Sequence, residues 1–491
     1  MQSNLIMNPF ALFKTSFIIL FLISGLRCHT SAELLIGQAT CDITPKLPVA
    51  LSGQMRTRIA KTAETPITAS VVVLEKTAAG EKPVQTILVS CDLVAIREGI
   101  LDKLQAKVKE QSPEIDPRKI IINATHTHTA PVMREGTYRI PKTGVTQPTE
   151  FVTLLVNRVA GIIDEAWKNR QPGGVSWGLG HAVVAHNRRI VYTDGHAQMY
   201  GKTALPSFKK LEGAEDHGVE VLFFFNADKK LNAAAVNVAC PGQEVEGRSA
   251  VNADYWHEVR EQLRQTHGKD LVVLSWVGAA GDQSPHLMLR KAAENRMVVA
   301  AKRTRLEEIG RRIARAVDDA WQVAKDDVHF DVPMTHKVRD IDLPVRKVTE
   351  KELAEAKAAI ATLKEAEKKG NKDTGWKQRW NQKTIDRFAS QDDKPYFPME
   401  LHVVRLGDIA ISTNPFELFT EFGLRMKARS KALQTFVIQL SGNTGGYLAT
   451  DDATRGGSYS AIINSCQVGP EGGDLLTDET VKDINALWEK K

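Results

Sequence analysis

What the chain lacks narrows its class before any motif does. It has 5 cysteines in 491 residues, and they are scattered. None has the paired spacing of a zinc ribbon, and no disulfide framework can be read from them. Cys91 and Cys240 fall in strand-like segments, which fits buried thiols better than bridges. Charge of one sign is also missing. The 65 Lys and Arg stand against 59 Asp and Glu, a net +6, with both signs interspersed. That balance gives no reason to expect a nucleic-acid partner. After the N-terminus no run is apolar enough to span a bilayer, and no internal repeat is visible in the sequence.

The N-terminus itself reads as an export signal over residues 1–32. Lys14 precedes a continuous apolar run from Phe17 to Ile23, no acid occurs before Glu33, and Thr30-Ser31-Ala32 offers small residues for cleavage. The run is far shorter than the ~20 residues that cross a membrane. Arg27, before Cys28, argues against a lipoprotein. Cleavage near Ala32 removes Lys14 and Arg27, two cations with no acid beside them, and so lowers the charge from +6 to +4. The expected mature chain is secreted or periplasmic, with no transmembrane segment.

What is present is an alternation. Strand-like runs occur at Ser70–Leu74, Thr86–Cys91, Lys119–Asn123, Val219–Phe225, Ala233–Ala239, Leu271–Val277 and Phe436–Leu440. Between them lie helical stripes: Phe151, Leu155, Val159 and Ile162 in one, Ile309, Ile313 and Val317 in another. This pattern predicts an α/β fold, a layered mixed β-sheet core with flanking helices in a single large domain over 33–491. Residues 349–395 differ. They are rich in Ala, Glu and Lys and then polar, with Trp376 and Trp380 among charges, and Thr349 and Glu352 have capping-box spacing. The segment reads as a surface insertion, either a flap over a site or a solvated helical hairpin.

Chemistry-bearing residues collect in five places. His126 and His128 follow a strand, two residues apart, so both point to one side if the strand continues. Two such imidazoles can bind a metal or share acid–base work. Arg188 and Arg189 follow another strand-like segment, and either can hold an anion. At Cys240-Pro241-Gly242-Gln243 a strand breaks. Gly281-Asp282-Gln283-Ser284-Pro285-His286 follows a further strand. Glu417 sits at a strand-to-helix junction, with Tyr447 and Tyr459 beyond it. Ligands of open α/β sheets bind beyond the carboxyl ends of strands, which predicts one shared pocket. Asn123-Ala124-Thr125 is also a glycosylation sequon, read here as coincidence.

The ordered set Gly37-Gln-Ala-Thr-Cys-Asp-Ile-Thr-Pro45, Ala124-Thr-His-Thr-His-Thr-Ala-Pro131, Asn187-Arg188, Gly281-Asp-Gln-Ser-Pro285, Pro415-Phe-Glu417 and Gly446-Tyr447 resembles the neutral/alkaline ceramidase family. The resemblance implies a zinc amidase that splits an N-acyl bond. It implies His126, Glu417 and Tyr447 as metal ligands, and His128, Arg188 and Tyr459 as groups that steady the oxyanion. It also implies Ser284 as a holder of a substrate hydroxyl. The family's usual C-terminal immunoglobulin-like domain is not expected, because the chain ends soon after the last motif. One ligand is changed. Where the family has its second zinc histidine this chain has Cys240-Pro241, so either Cys240 ligates as a thiolate or His286 reaches across. The expected function is a zinc-dependent hydrolase of an N-acyl amide or ester, acting on a small-molecule, lipid or glycoconjugate substrate. Two alternatives stand beside it: an exported hydrolase of a glycoside or sugar ester, and a non-catalytic binding protein with a degenerate metal site.

Overall fold

The structure is a computed structural model that describes residues 33–77, 80, 82–97, 99–370 and 374–489. The expected export signal, residues 1–32, lies outside them. Among the described residues no helix is long and apolar enough to cross a membrane.

The chain lays down one arrangement three times. In the first unit, Glu33–Asp42, Thr68–Thr77 and Val84–Cys91 run antiparallel. The helix Ile100–Gln111 then crosses over, Ile120–Ala124 returns parallel to Val84–Cys91, and the helix Pro148–Lys168 follows. The second unit repeats this order. Its strands are Gln171–His181, Gly218–Asn226 and Leu231–Val238, its crossover helix Tyr255–His267, its parallel strand Val272–Val277 and its closing helix Arg305–Ala324. The third has Met334–Pro344, Tyr396–Leu406 and Ile409–Thr413, then the helix Thr420–Arg429, the parallel strand Gln434–Ile438 and the helix Pro470–Ala486. The repeat is one of topology. It has no counterpart in the sequence, because a strand needs only β-branched or apolar residues at buried positions and many sequences supply them.

The first two units join edge to edge, at Leu35↔Pro172 and Ile36↔Gln171, into an 8-stranded mixed sheet. The third forms its own 4-stranded sheet, stacked on the larger one. Val72, Leu88, Ile121, Phe224 and Trp276 meet Val404, Ile409, Ile411, Phe436 and Ile438 in that middle layer. Strands buried on both faces read as unbroken apolar runs rather than alternations, as in Val71-Val72-Val73-Leu74. Helices cover both outer faces. Phe151, Leu155, Val159 and Ile163 seat Pro148–Lys168 on the first unit. Full burial of each such side chain contributes about 1.5–3 kcal/mol, and Phe151→Ala should cost ~3–5 kcal/mol. Thr304 and Glu307 close a capping box at the start of Arg305–Ala324. The expected α/β layered fold, a mixed sheet core with flanking helices in one domain, is the observed one.

Each unit also carries an insertion between its first two strands, at residues 43–67, 182–217 and 345–395. The polar segment noted in the sequence belongs to the third of these. It folds as two helices, Glu350–Lys368, opened by the predicted Thr349–Glu352 capping box, and Gly375–Ser390. Arg387 fastens the second helix to the body through the carbonyls of Ile463 (3.3 Å), Cys466 (2.8 Å) and Gln467 (2.7 Å).

Candidate active site

The carboxyl ends of the last two strands in all three units meet at one place, and polar side chains stitch them. Asn123 Nδ2 donates to the Ser275 carbonyl at 3.1 Å, Asn237 Nδ2 donates to that of Val437 at 3.1 Å, and Gln439 Oε1 accepts from the Ala280 N–H at 3.1 Å. Asn123 is therefore a buried structural residue, and its sequon is coincidental. Four of the five motifs are loops that leave this junction, and the fifth, at Arg188, comes from the second insertion.

His126 leaves the strand Ile120–Ala124 with φ of 64°. That left-handed conformation costs of order 1–3 kcal/mol for a residue with a Cβ, and its neighbours hold it. Thr125 N–H donates to Cys91 O at 3.0 Å, Thr127 N–H to Leu93 O at 3.1 Å, and the His126 Nδ1 contact with Val94 O is 2.6 Å. The two histidines thus converge through a tight turn and not through strand alternation. Their rings meet edge to face with centroids 4.8 Å apart. Gly53 backs His128, and a Cβ there would lie 2.4 Å from the His128 ring.

Glu417 and Tyr447 come from the third unit and face each other across a two-residue parallel ladder. Glu417 Oε2 is 3.3 Å from His126 Nε2 and 4.0 Å from Arg188 Nη2. Burial alone would raise the Glu417 pKa, but His126, Arg188 and a hydrogen bond from Tyr447 hold it below the usual carboxylate value. Burial pushes the Tyr447 and Tyr459 phenols up, with Glu417 acting the same way, so both stay protonated donors at neutral pH.

Arg188 enters from the second insertion, fully buried. It donates to Gln243 Oε1 (2.9 Å), Gly281 O (2.9 Å), Tyr200 Oη (3.2 Å) and Tyr447 Oη (3.2 Å). Arg189 turns the other way, to Glu212, Ser460 and two backbone carbonyls. Of the pair, Arg188 is the one placed in this cluster. Gly281 allows the approach, since a Cβ there would lie 2.3 Å from the Glu417 carbonyl.

Three residues that the sequence did not single out complete the cluster. Gln243 bridges Arg188 and His128. Its Oε1 accepts from Arg188, so its amide nitrogen donates to His128 Nε2 at 2.7 Å. That contact places the His128 proton on Nδ1, which faces Glu246 Oε2 at 3.3 Å. Tyr200 joins Arg188 to Ser284 Oγ at 3.1 Å. Ser284, wholly buried, reaches the cluster only through this phenol. Burial drives the His128 pKa well below 6.5, and His126, Arg188, Arg58 and Arg97 add to the effect, so His128 is neutral at pH 7.

Cys240, the expected replacement ligand, is not brought to the cluster. Its Sγ contacts Val184 O at 3.7 Å and Pro241 O at 3.8 Å, and it packs with Val184, Tyr255 and Trp256 in the second unit's helical core. Burial raises its thiol pKa far above the free value. The strand end turns inward at Cys240 and emerges at Gln243. His286, the other candidate, stands behind His128, 3.5 Å from Glu246 and 3.8 Å from Glu244.

Among the described residues no three His, Cys, Asp or Glu side chains group to hold a metal. The donor chemistry at His126 nonetheless fits a cation. Val94 O takes the Nδ1 proton, so on a neutral ring Nε2 presents a lone pair, which lies 3.3 Å from a carboxylate oxygen and 3.3 Å from His128 Nε2, itself accepting from Gln243. Such an array is repulsive unless positive charge lies within it. His126, Glu417 and the Tyr447 phenol are a three-donor set of N, O and O.

A cavity of ≈ 570 Å³ opens above this cluster, with Glu417, Tyr447 and Tyr459 at its floor. Two insertions contribute to its lining, through Gln54 and Met55 from the first and Trp376 and Trp380 from the third, while Tyr200 of the second bonds to Arg188 in the cluster.

No protein-family model matches the chain, and no curated protein matches it. Solved structures do. Neutral ceramidase from Pseudomonas aeruginosa superposes with a TM-score of 0.69 at 17% identity, covering 93% of this chain and 75% of that one. A ceramidase complexed with C2 gives 0.68 at 15% identity, with the same coverages. This chain has the fold of the neutral ceramidases.

Proposed function

We propose that the chain is an exported hydrolase of an N-acyl amide or ester, a divergent member of the neutral ceramidase group that works with a bound zinc-type ion. The observation that supports this most is the meeting of His126, Glu417, Tyr447 and Arg188, from three separate units, under one cavity. His126, Glu417 and Tyr447 would hold the ion. When bound, it would lower the pKa of a water from ~15.7 towards ~7.

The chain's own groups would do the rest. Arg188 keeps its charge despite burial, because Tyr200, Tyr447 and Glu417 surround it and raise its pKa. It would stabilise the developing oxyanion together with the Tyr447 and Tyr459 hydroxyls. His128 is less suited to that donor role than the resemblance implies, since its Nε2 accepts from Gln243. As a neutral base it would exchange the Gln243 hydrogen bond at Nε2 for a proton from the attacking water and pass that proton to the leaving group, with Glu246 Oε2, 3.3 Å from Nδ1, steadying the imidazolium by its charge. The walls of insertion residues would limit water.

The test is metal content of the purified mature protein, with turnover on N-acyl amides, acyl esters, and acylated and glycosidic sugars with and without chelator. Chelator-sensitive release of an acyl group supports the proposal. Turnover of glycosides alone would replace it, as would absence of both metal and turnover.

A further inference from the structure

Arg188, beside the floor of the cavity, is held by Tyr200, Gln243, Gly281 and Tyr447, but three other cations line the cavity with no acid paired to them among the described residues. Arg97, from the loop after Val84–Cys91, and Arg379 and Lys383, from the helix Gly375–Ser390, line the same opening. Among the described residues none of the three is in an ion pair. Other cations in the chain do have acidic partners, as Arg118 has Glu400, Arg312 has Glu294 and Glu308, and Lys427 has Asp216 and Glu220. Two acids line the cavity. Glu417 is engaged at the floor, which leaves Glu135 at the mouth. Arg97 also lies close enough to Tyr459 for its charge to act there. Unmatched like charges around one concave opening repel each other and create a positive potential that an anion relieves.

Between the cations is an aromatic wall. Trp376 and Trp380 stand with ring centroids 5.8 Å apart, and Trp380 meets Tyr459 edge to face at 5.7 Å. Trp380 is fixed by its indole N–H on Asn464 O at 2.9 Å. A fixed aromatic surface beside guanidinium and ammonium groups fits a ligand with an apolar or ring-shaped body and a charged end. A neutral lipid headgroup would leave three cations unanswered.

We infer that the cavity takes an anionic substrate, whose carboxylate or sulfate is met at the mouth by Arg97, Arg379 and Lys383 while its body lies against Trp376 and Trp380. This deepens the proposed hydrolase activity by naming a substrate class. It rests on that reading only for the bond that is broken.

Binding and turnover are measured separately on the mature protein, so each can fail alone. Two matched pairs serve as probes: N-dodecanoylglycine with N-dodecanoylethanolamine, and N-acetylglucosamine 6-sulfate with N-acetylglucosamine. Within each pair the members differ in the anion, and the responding pair tells an acyl-lipid source from a sugar one. In calorimetry and tryptophan fluorescence, the anionic member of at least one pair should bind about tenfold more tightly. That preference should shrink in about 0.5 M NaCl, where exposed charges are screened. It should vanish in Arg379→Ala/Lys383→Ala, whose residues are exposed and whose melting temperature should match the parent. Arg97→Ala should weaken the anionic probe and not the neutral one. The inference is overturned if neither pair shows a preference, including the case in which nothing binds. It is also overturned if the preference survives the double substitution. An anion preference without hydrolysis would leave it standing and remove the hydrolase reading. Hydrolysis of neutral amides with no anion preference would do the reverse.

Discussion

Among the described residues two histidine pairs meet ring to ring, and their bonding differs. His126 and His128 lie at the meeting point of the strand ends, with Glu417 beside them. His336 and His402 lie between the two sheets, with Glu400 beside them. Composition does not separate the pairs, but their hydrogen bonds do. In the second, every nitrogen has a complementary partner: His336 Nδ1 meets Gln85 O and Thr86 Oγ1 at 3.1 Å, His336 Nε2 meets His402 Nδ1 at 3.0 Å, and His402 Nε2 meets Glu400 Oε1 at 2.9 Å. In the first, a neutral His126 turns its Nε2 lone pair towards a carboxylate, beside a cavity. A closed chain of donors and acceptors is structure. Acceptors that converge beside a cavity fit a proton or a cation between them.

The largest expected effect is on the first pair. His126→Ala and Glu417→Ala should each lower turnover by about 10³-fold or more, as loss of a group that acts with others as a unit does. Each should also lower bound metal, while the melting curve stays cooperative because the sheets carry the fold. Full metal and full kcat in either variant would put the chemistry elsewhere. Next comes the oxyanion side. Arg188→Ala and Tyr459→Phe should keep the metal and lower kcat, by about 10²–10³-fold for the arginine. Arg188→Ala should also destabilise the protein, because Gly281 O and Gln243 lose a buried donor. If kcat is unchanged in both, neither group touches the reacting atoms.

The second pair should behave oppositely. His336→Gln should leave kcat/KM unchanged and cost ~1–3 kcal/mol of stability, for a buried network left partly unpaired. Its pH signature has a definite sign. Burial, with help from His402 and Lys119, sets the folded pKa of His336 well below 6.5. The contribution is then complete above about pH 6.5 and is lost as the pH falls towards the depressed folded value, because the unfolded chain binds the proton more readily. Urea titrations from pH 7.5 to 5 should show this fall in the parent and a flatter profile in His336→Gln. A drop in kcat/KM at constant stability would mean that the pairs are not distinct.

Sequence and structure agree where the signal is local and diverge where it is not. The strands Thr68–Thr77, Gly218–Asn226 and Leu231–Val238 are visible as apolar runs, and His126 and His128 stand out because they are neighbours in the chain. His336 and His402 pair from adjoining strands 66 residues apart, so no window along the sequence reveals them. The threefold topology is hidden for the same reason, since strand pairing leaves no periodic residue code. Gln243, Tyr200 and Glu246 were missed because loop geometry sets their direction. Gln243 lies in the Cys240–Gln243 motif, where the thiol is the stronger ligand type in sequence.

The smallest expected effect is at Cys240, and it bears most directly on how the second unit feeds the site. A strand end that enters the junction can present its side chain inward or outward. Here Pro241 follows, and the chain packs Cys240 between Val184 and Tyr255, whose hydroxyl donates to the Cys240 carbonyl at 2.5 Å. Gln243 then occupies the cluster. Cys240→Ala should therefore cost only about 1–2 kcal/mol, the loss of a small core side chain, and leave metal content and turnover at the parental level. Cys240→His should destabilise the protein without tightening metal, because an imidazole there would be forced into an apolar core with no partner for its nitrogens. Gln243→His is the informative contrast. It places an imidazole beside His128 and Arg188, where a further nitrogen donor reaches His126 and Glu417, and should retain or tighten metal while removing the amide that fixes the His128 tautomer. Metal release from folded Cys240→Ala at neutral pH, with no change in Gln243→His, would return the ligand role to the thiolate and show that the strand end faces the site from the other side.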